Sequence, residues 1–197
     1  MGMVAAHYIA FMERLDPATS LLLVVDVQER LAAAMPAAAM DRLIKNAVIL
    51  LEMARLLGVS VLASEQYPQG LGATIAPIAD ELRALGIAPI DKLTFDACSE
   101  PRVVRAIADR ASAHSVVILG LEAHVCVFQT ARELVKRGTD VRVVADAVAS
   151  RREENRVLGL GLCERAGAVV MPAEAVAFDW LGKAGTDEFK AASKLLR

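Results

Sequence analysis

Six apolar runs of strand length, at residues 21–25, 59–63, 87–90, 116–119, 141–145 and 168–171, recur along the chain with amphipathic stretches between them. A strand that is apolar at nearly every position has no face to give to water, so it belongs in a parallel sheet covered on both sides. Parallel neighbours need crossover helices, and right-handed crossovers on both faces produce three layers. The expected fold is therefore an α/β, three-layer sandwich around a six-stranded parallel sheet, taken in the doubly wound order 3-2-1-4-5-6. At 197 residues the chain is long enough for one substantial core and marginal for two, so residues 1–197 are read as a single domain.

The intervening stretches carry helical periodicity. In residues 40–57, Leu43, Ala47, Leu50, Leu51, Ala54 and Leu57 fall on one side, and Gly58 ends the pattern. Residues 100–113, 123–136 (closed by Gly138) and 153–166 read in the same way, and 187–196 as a final surface helix. Residues 64–72, with Pro68, Gly70 and Gly72, are expected to form a long loop after the second strand, placed to act as a lid. No repeat or low-complexity linker interrupts the chain.

Composition narrows the function. Lys+Arg 22 against Asp+Glu 24 leaves a net charge of -2, and aromatic residues make up only 4%, so nothing points to nucleic acid or an anionic membrane. No apolar run reaches the roughly 18 residues of a membrane span, because Asp26, Glu29 and Arg30 break the longest early one. The opening residues 1–11 lack a basic start and a clear cleavage site, which argues against a signal peptide. Cys98, Cys126 and Cys163 are odd in number and widely spaced, with no CxxC pair, so a reducing cytoplasm fits better than a disulfide framework or a zinc cluster. A small molecule is the expected partner.

In open α/β sheets, ligands lie beyond the carboxyl ends of the strands. Three residues satisfy that rule: Asp26 directly after the first strand, Lys92 two residues after the third, and Cys126 a few residues past the fourth. Each has a plainer reading. Asp after a strand is a common turn acceptor, Lys is usually solvated, and a free Cys is often core filler. Together at one sheet edge they form a set that can do nucleophilic chemistry. A helix start at Cys126 would favour thiolate, Asp26 would accept the thiol proton, and Lys92 would stabilise both anions. The sulfur would then attack an electrophilic carbon to give a thioester.

These residues also carry a resemblance. Val25-Asp26-Val27-Gln28, the Lys92 segment, and Gly120-Leu-Glu-Ala-His-Val-Cys-Val with Thr130-Ala131 resemble the isochorismatase-like cysteine hydrolases, which include nicotinamidase and N-carbamoylsarcosine amidase. Residues 64–72 and 143–151 place the chain nearest the isochorismatase domain-containing group. The resemblance implies a catalytic triad of Asp26, Lys92 and Cys126. It also implies a cis peptide at Leu121-Glu122, with an oxyanion hole formed by the backbone N–H groups of Glu122 and Cys126. Gln28, Gln66, Tyr67 and Phe95 are the residues expected to line the substrate pocket. Self-association as a dimer or tetramer is implied as well.

One departure matters. Nicotinamidases carry a metal-binding Asp-x-His after the second strand, where this chain has Ser64-Glu65-Gln66-Tyr67, so neither a metal nor a cofactor is expected. The resulting reading is a metal-independent cysteine hydrolase of a small amide or related C–N bond. Isochorismate-type ether hydrolysis through Asp26, and a non-catalytic interaction protein on the same fold, stand as alternatives. Among the remaining candidates, His124 lies two residues from Cys126, a spacing that does not face it on a helix, so a structural or pocket-edge role is expected. His7 and His114 lack metal partners. Cys98 and Cys163 read as packing, and Gly159-Leu-Gly161 as helix packing rather than a dinucleotide fingerprint. Asp146, Ser150 and Arg151 read as caps of the following helix, with Ser150 as N-cap.

Overall fold

The computed structural model describes residues 13–110 and 114–196. Expectations for His7 and the amino-terminal residues fall outside these, as does the end of the helix expected at 100–113.

The apolar run at the start of the chain forms β1 (Ser20–Val25), in which every residue is buried. Period-two geometry sends Leu22 and Val24 to one face of the sheet and Leu21, Leu23 and Val25 to the other, and each set joins a separate core cluster. That division explains why the run is apolar throughout. The other strands are β2 (Ser60–Gln66), β3 (Ile90–Lys92), β4 (Ser115–Leu121), β5 (Asp140–Ala149) and β6 (Val169–Met171). All pair in parallel, in the order β3-β2-β1-β4-β5-β6. The α/β architecture and strand order agree with the sequence reading.

The helices are α1 (Glu29–Ala32), α2 (Ala37–Leu57), α3 (Pro68–Leu71), α4 (Ala76–Ala84), α5 (Pro101–Ala108), α6 (Phe128–Lys136), α7 (Glu153–Ala166), α8 (Ala173–Leu181) and α9 (Asp187–Leu195). Helix α2 lays Leu43, Ala47, Leu50, Leu51 and Ala54 on one sheet face and stops at Gly58, whose φ of 72° is a left-handed conformation that costs glycine little. Buried residues of α4, α8 and α9 share that cluster, while α6 and α7 supply Ala131, Leu134 and Cys163 to the other.

Three local expectations are corrected. Strand three is not at 87–90: Pro89 has no N–H to give a ladder, and the Ile87 N–H instead donates to Leu82 O, closing α4. Pairing begins at Ile90 and carries Lys92 into register with Gln66, so Lys92 ends the strand rather than following it. Residues 64–66 belong to β2, which leaves only Tyr67 and α3 for the expected loop. In β5, Val143 pairs with Ile118 but Val148 with Gly120. The extra residues form a bulge in which Asp146 Oδ1 accepts a bond from Ala173 N at 2.8 Å, so Asp146 anchors α8 and does not cap α7.

Candidate active site

Asp26 follows β1 with φ 51°, and Tyr67 follows β2 with φ 39°. They are the two non-glycine residues with positive φ among those described. Left-handed backbone at a non-glycine residue is uncommon and gathers at functional sites, and here it marks the ends of neighbouring strands. The Asp26 carboxylate is fully buried, with Oδ1 accepting from Ser64 Oγ at 2.8 Å and Oδ2 2.7 Å from Lys92 Nζ. Neither side chain of that ion pair reaches solvent.

Lys92 has a crowded environment. Its ammonium donates to Gln66 Oε1 at 2.7 Å, Thr94 O at 3.1 Å and Phe95 O at 3.2 Å. An ammonium has three N–H groups, so these acceptors occupy all of them. Asp26 Oδ2 is therefore held by charge without a well-aligned hydrogen bond, and among the described residues it has no hydrogen-bond partner.

Cys126 lies in a π-helical turn, Ala123–Val127, that leads from β4 into α6. Such turns recur at functional sites, and this one re-aims the chain just past the Leu121-Glu122 peptide, which is cis. Cys126 is 4% exposed, and its thiol interacts with Asp26 and Lys92. Burial, followed by the charge of Asp26, pushes the Cys126 thiol up to about 12, with Lys92 pulling the other way. Desolvation and the neighbouring carboxylate thus work against the expected thiolate, while the ammonium favours it.

Burial also pushes the thiols of Cys98 and Cys163 up to about 12. What distinguishes Cys126 is its pairing with Asp26 and Lys92, since Cys98 faces Asp96 and Arg137. A consequence for stability follows. Thiols with folded values near 12 against an ordinary 9.0 retain protons that the unfolded chain releases, so folding stability is complete below pH 9 and falls as pH rises towards 12. The slope is up to about 1.4 kcal/mol per pH unit for each thiol. Urea unfolding between pH 8.5 and 10.5 is expected to show this loss, with a shallower slope in Cys163→Ala. An unchanged slope in that variant would remove the buried thiol as its cause.

The expected pocket residues divide into two groups. Gln28 is fully buried: its Nε2 donates to Gln66 O and Gly72 O at 3.0 and 2.7 Å, and its Oε1 accepts from Gln66 N at 2.7 Å. Gln66 bridges Lys92 and Leu93 O. Both amides are thus engaged with the protein itself, Gln28 bracing Gln66 and Gln66 bracing the lysine, which is not the substrate-facing placement read from the sequence. Tyr67 and Phe95 are 51% and 55% exposed. Tyr67 lines a cavity of about 500 Å³ that reaches Lys92, together with Pro68, Leu93 and Arg102.

Contacts that the sequence did not make legible complete the site. Ser64 orients Asp26, and the Glu122 carboxylate accepts from Arg151 N at 2.9 Å and lies 3.1 Å from its guanidinium. Ser150 is not an N-cap: its Oγ is 3.0 Å from His124 Nδ1, and α7 is preceded by Arg152 with no side-chain cap. Asn155 lies 3.4 Å from His124 Nε2, giving His124 a structural place. Ser64 had one available signal, its position opposite Val25 at the carboxyl end of the neighbouring strand.

Fold and site together define a doubly wound α/β protein with an acid, an amine and a thiol gathered where its central strands end. The chain belongs to the isochorismatase-like hydrolase family: the family model described as isochorismatase domain matches residues 20–175. It is 32% identical to isochorismatase domain-containing protein 2A of Mus musculus over 188 residues, which covers 95% of this chain and 87% of the mouse protein. The structure described as MAR1 ribonuclease from Caenorhabditis elegans superposes with a TM-score of 0.86 at 34% identity, covering 93% of this chain and 92% of that one. The YcaC gene product of Escherichia coli, described as an octameric hydrolase of unknown specificity, shares the fold with a TM-score of 0.83 at 23% identity, covering 93% of this chain and 89% of its own. No described helix is long and apolar enough to cross a membrane.

Proposed function

We propose that the protein is a metal-independent cysteine hydrolase of a small amide or related C–N bond. The observation that carries the reading is the solvent-free Asp26–Lys92 pair, 2.7 Å apart, beside the Cys126 thiol. Asp26 removes the thiol proton as sulfur attacks the carbonyl carbon, and Lys92 stabilises the negative charge that forms. In this reading burial holds the thiol up, so thiolate arises during attack and is not stored beforehand. The backbone N–H groups of Glu122 and Cys126 receive the oxyanion. Collapse breaks the C–N bond, Asp26 returns the proton to the leaving nitrogen, and a thioester remains. Asp26 then deprotonates water, whose attack releases the acid and restores the thiol.

Metal independence rests on the donor set. The side chains at the carboxyl end of β2 are already engaged: Ser64 with Asp26, Glu65 with Thr74, and Gln66 with Lys92. No group of three or more His, Cys, Asp or Glu suited to a metal ion occurs among the described residues. Tyr67 and Phe95, both exposed beside this region, are the side chains proposed to meet substrate. Self-association belongs to the same reading.

Turnover of a panel of small amides tests the chemistry. Cys126→Ala is expected to lower it by about 10³-fold or more, and mass spectrometry of the wild type should find an acyl group on Cys126. Equal turnover by both proteins would exclude the thioester route. A fluorogenic RNA belongs in the same panel, because Cys126-dependent RNA cleavage would replace the amide reading.

A further inference from the structure

Helix α7 is apolar on its outer face as well as its inner one. Val157 and Leu158 are 55% and 61% exposed, and Leu162 is half-buried one turn further on. The two central glycines of the helix behave differently. A Cβ at Gly159 would lie 2.7 Å from His124 N, so close packing inside the chain requires that glycine. At Gly161 a Cβ would meet nothing within 4 Å. Glycine weakens the middle of a helix relative to alanine, and no contact within the described chain accounts for its presence at Gly161.

The outer stripe is self-complementary. It runs Glu154, Val157, Leu158, Gly161, Leu162, Arg165, with an acid at its beginning and a base at its end. Turning one copy antiparallel to another about a two-fold axis between Gly159 and Leu160 matches Glu154 with Arg165, Val157 with Leu162, and Leu158 with Gly161. Each large apolar side chain then meets an apolar partner, and Leu158 enters the hollow that Gly161 leaves open. Both charged residues are exposed, and neither forms an ion pair among the described residues. Alongside the stripe, a groove of about 400 Å³ between α6 and α7 continues the apolar surface through Phe128 and Val135.

We propose that the outer face of α7 is a two-fold interface with a second copy of this chain, closed by antiparallel packing of Leu158 on Gly161 and by reciprocal Glu154–Arg165 pairs. The inference rests only on the self-association stated above, so the hydrolase chemistry can fail and leave it standing. Ion pairs at such a rim add little affinity, but they select the register.

Sedimentation velocity over a concentration series reads the result. Leu158→Glu is expected to halve the assembled mass or raise the dissociation constant at least about 100-fold. Glu154→Lys and Arg165→Glu alone should each weaken association about tenfold, because each places like charges together twice. The double reversal should restore it. That restoration also shows that both substitutions are compatible with the fold. A monomeric wild type at tens of micromolar would overturn self-association itself. Wild-type mass in Leu158→Glu, or a double reversal as weak as its parents, would overturn this surface and register.

Discussion

Gly120→Ala is expected to prevent the protein from accumulating in folded form, at a cost above about 4 kcal/mol. Gly120 is paired with Val25 in the two central strands, at φ 129°, a conformation that L side chains rarely adopt. A Cβ there would lie 1.9 Å from Val25 O and 2.7 Å from Val25 C. Both are backbone atoms, so relief requires β1 and β4 to part. Asp26 follows Val25 and the Cys126 turn follows Gly120, so the same separation would draw the acid from the thiol. Soluble yield and urea unfolding of any recovered protein measure the effect. A variant within 1 kcal/mol of wild type would show that the sheet accommodates the methyl group.

Lys92→Met is expected to destabilise the fold by about 3–5 kcal/mol, the usual cost of leaving a buried charge without its partner. The buried Asp26 carboxyl would lose its counter-charge in a site closed to water, and Gln66 Oε1 with the carbonyls of Thr94 and Phe95 would lose a shared donor. The double variant Asp26→Asn/Lys92→Met should recover at least half of that loss, because the carboxylate charge is then gone and the two sites are coupled. Urea unfolding at pH 7 of the wild type, both single variants and the double closes the cycle. Additive losses would mean that Asp26 and Lys92 contribute independently, despite their 2.7 Å separation.

The central strands were legible because β1 and β4 are covered on both faces and have no polar side chain past their first residues, Ser20 and Ser115. Strand β3 was not. It is a three-residue edge strand whose middle residue, Asp91, is exposed, and the more apolar 87–90 segment drew the assignment towards α4. The bulge in β5 was equally hidden, since Val143, Val144, Ala147 and Val148 stay apolar across the change of register. Helical periodicity from 123 to 136 likewise conceals a first turn that is π-helical.

At the site, Asp26 and Cys126 could be found because strand ends are where a doubly wound sheet presents side chains to a ligand. Which side chains face outward could not be found, as Gln28 and Gln66 show. An amide can bind backbone or substrate equally well, and only three-dimensional proximity decides. The upward push on the Cys126 thiol escaped the sequence for a related reason: its leading cause is exclusion of water, a property of the whole surrounding layer.

The bare contact between Gly159 and the Ala123–His124 backbone gives α7 a mechanical role. Main chain rests on main chain there, with no flexible side chain between them to absorb movement. The turn that carries Cys126 is therefore backed directly by the α7 backbone, and the separation of the two is set by the absence of a side chain at Gly159.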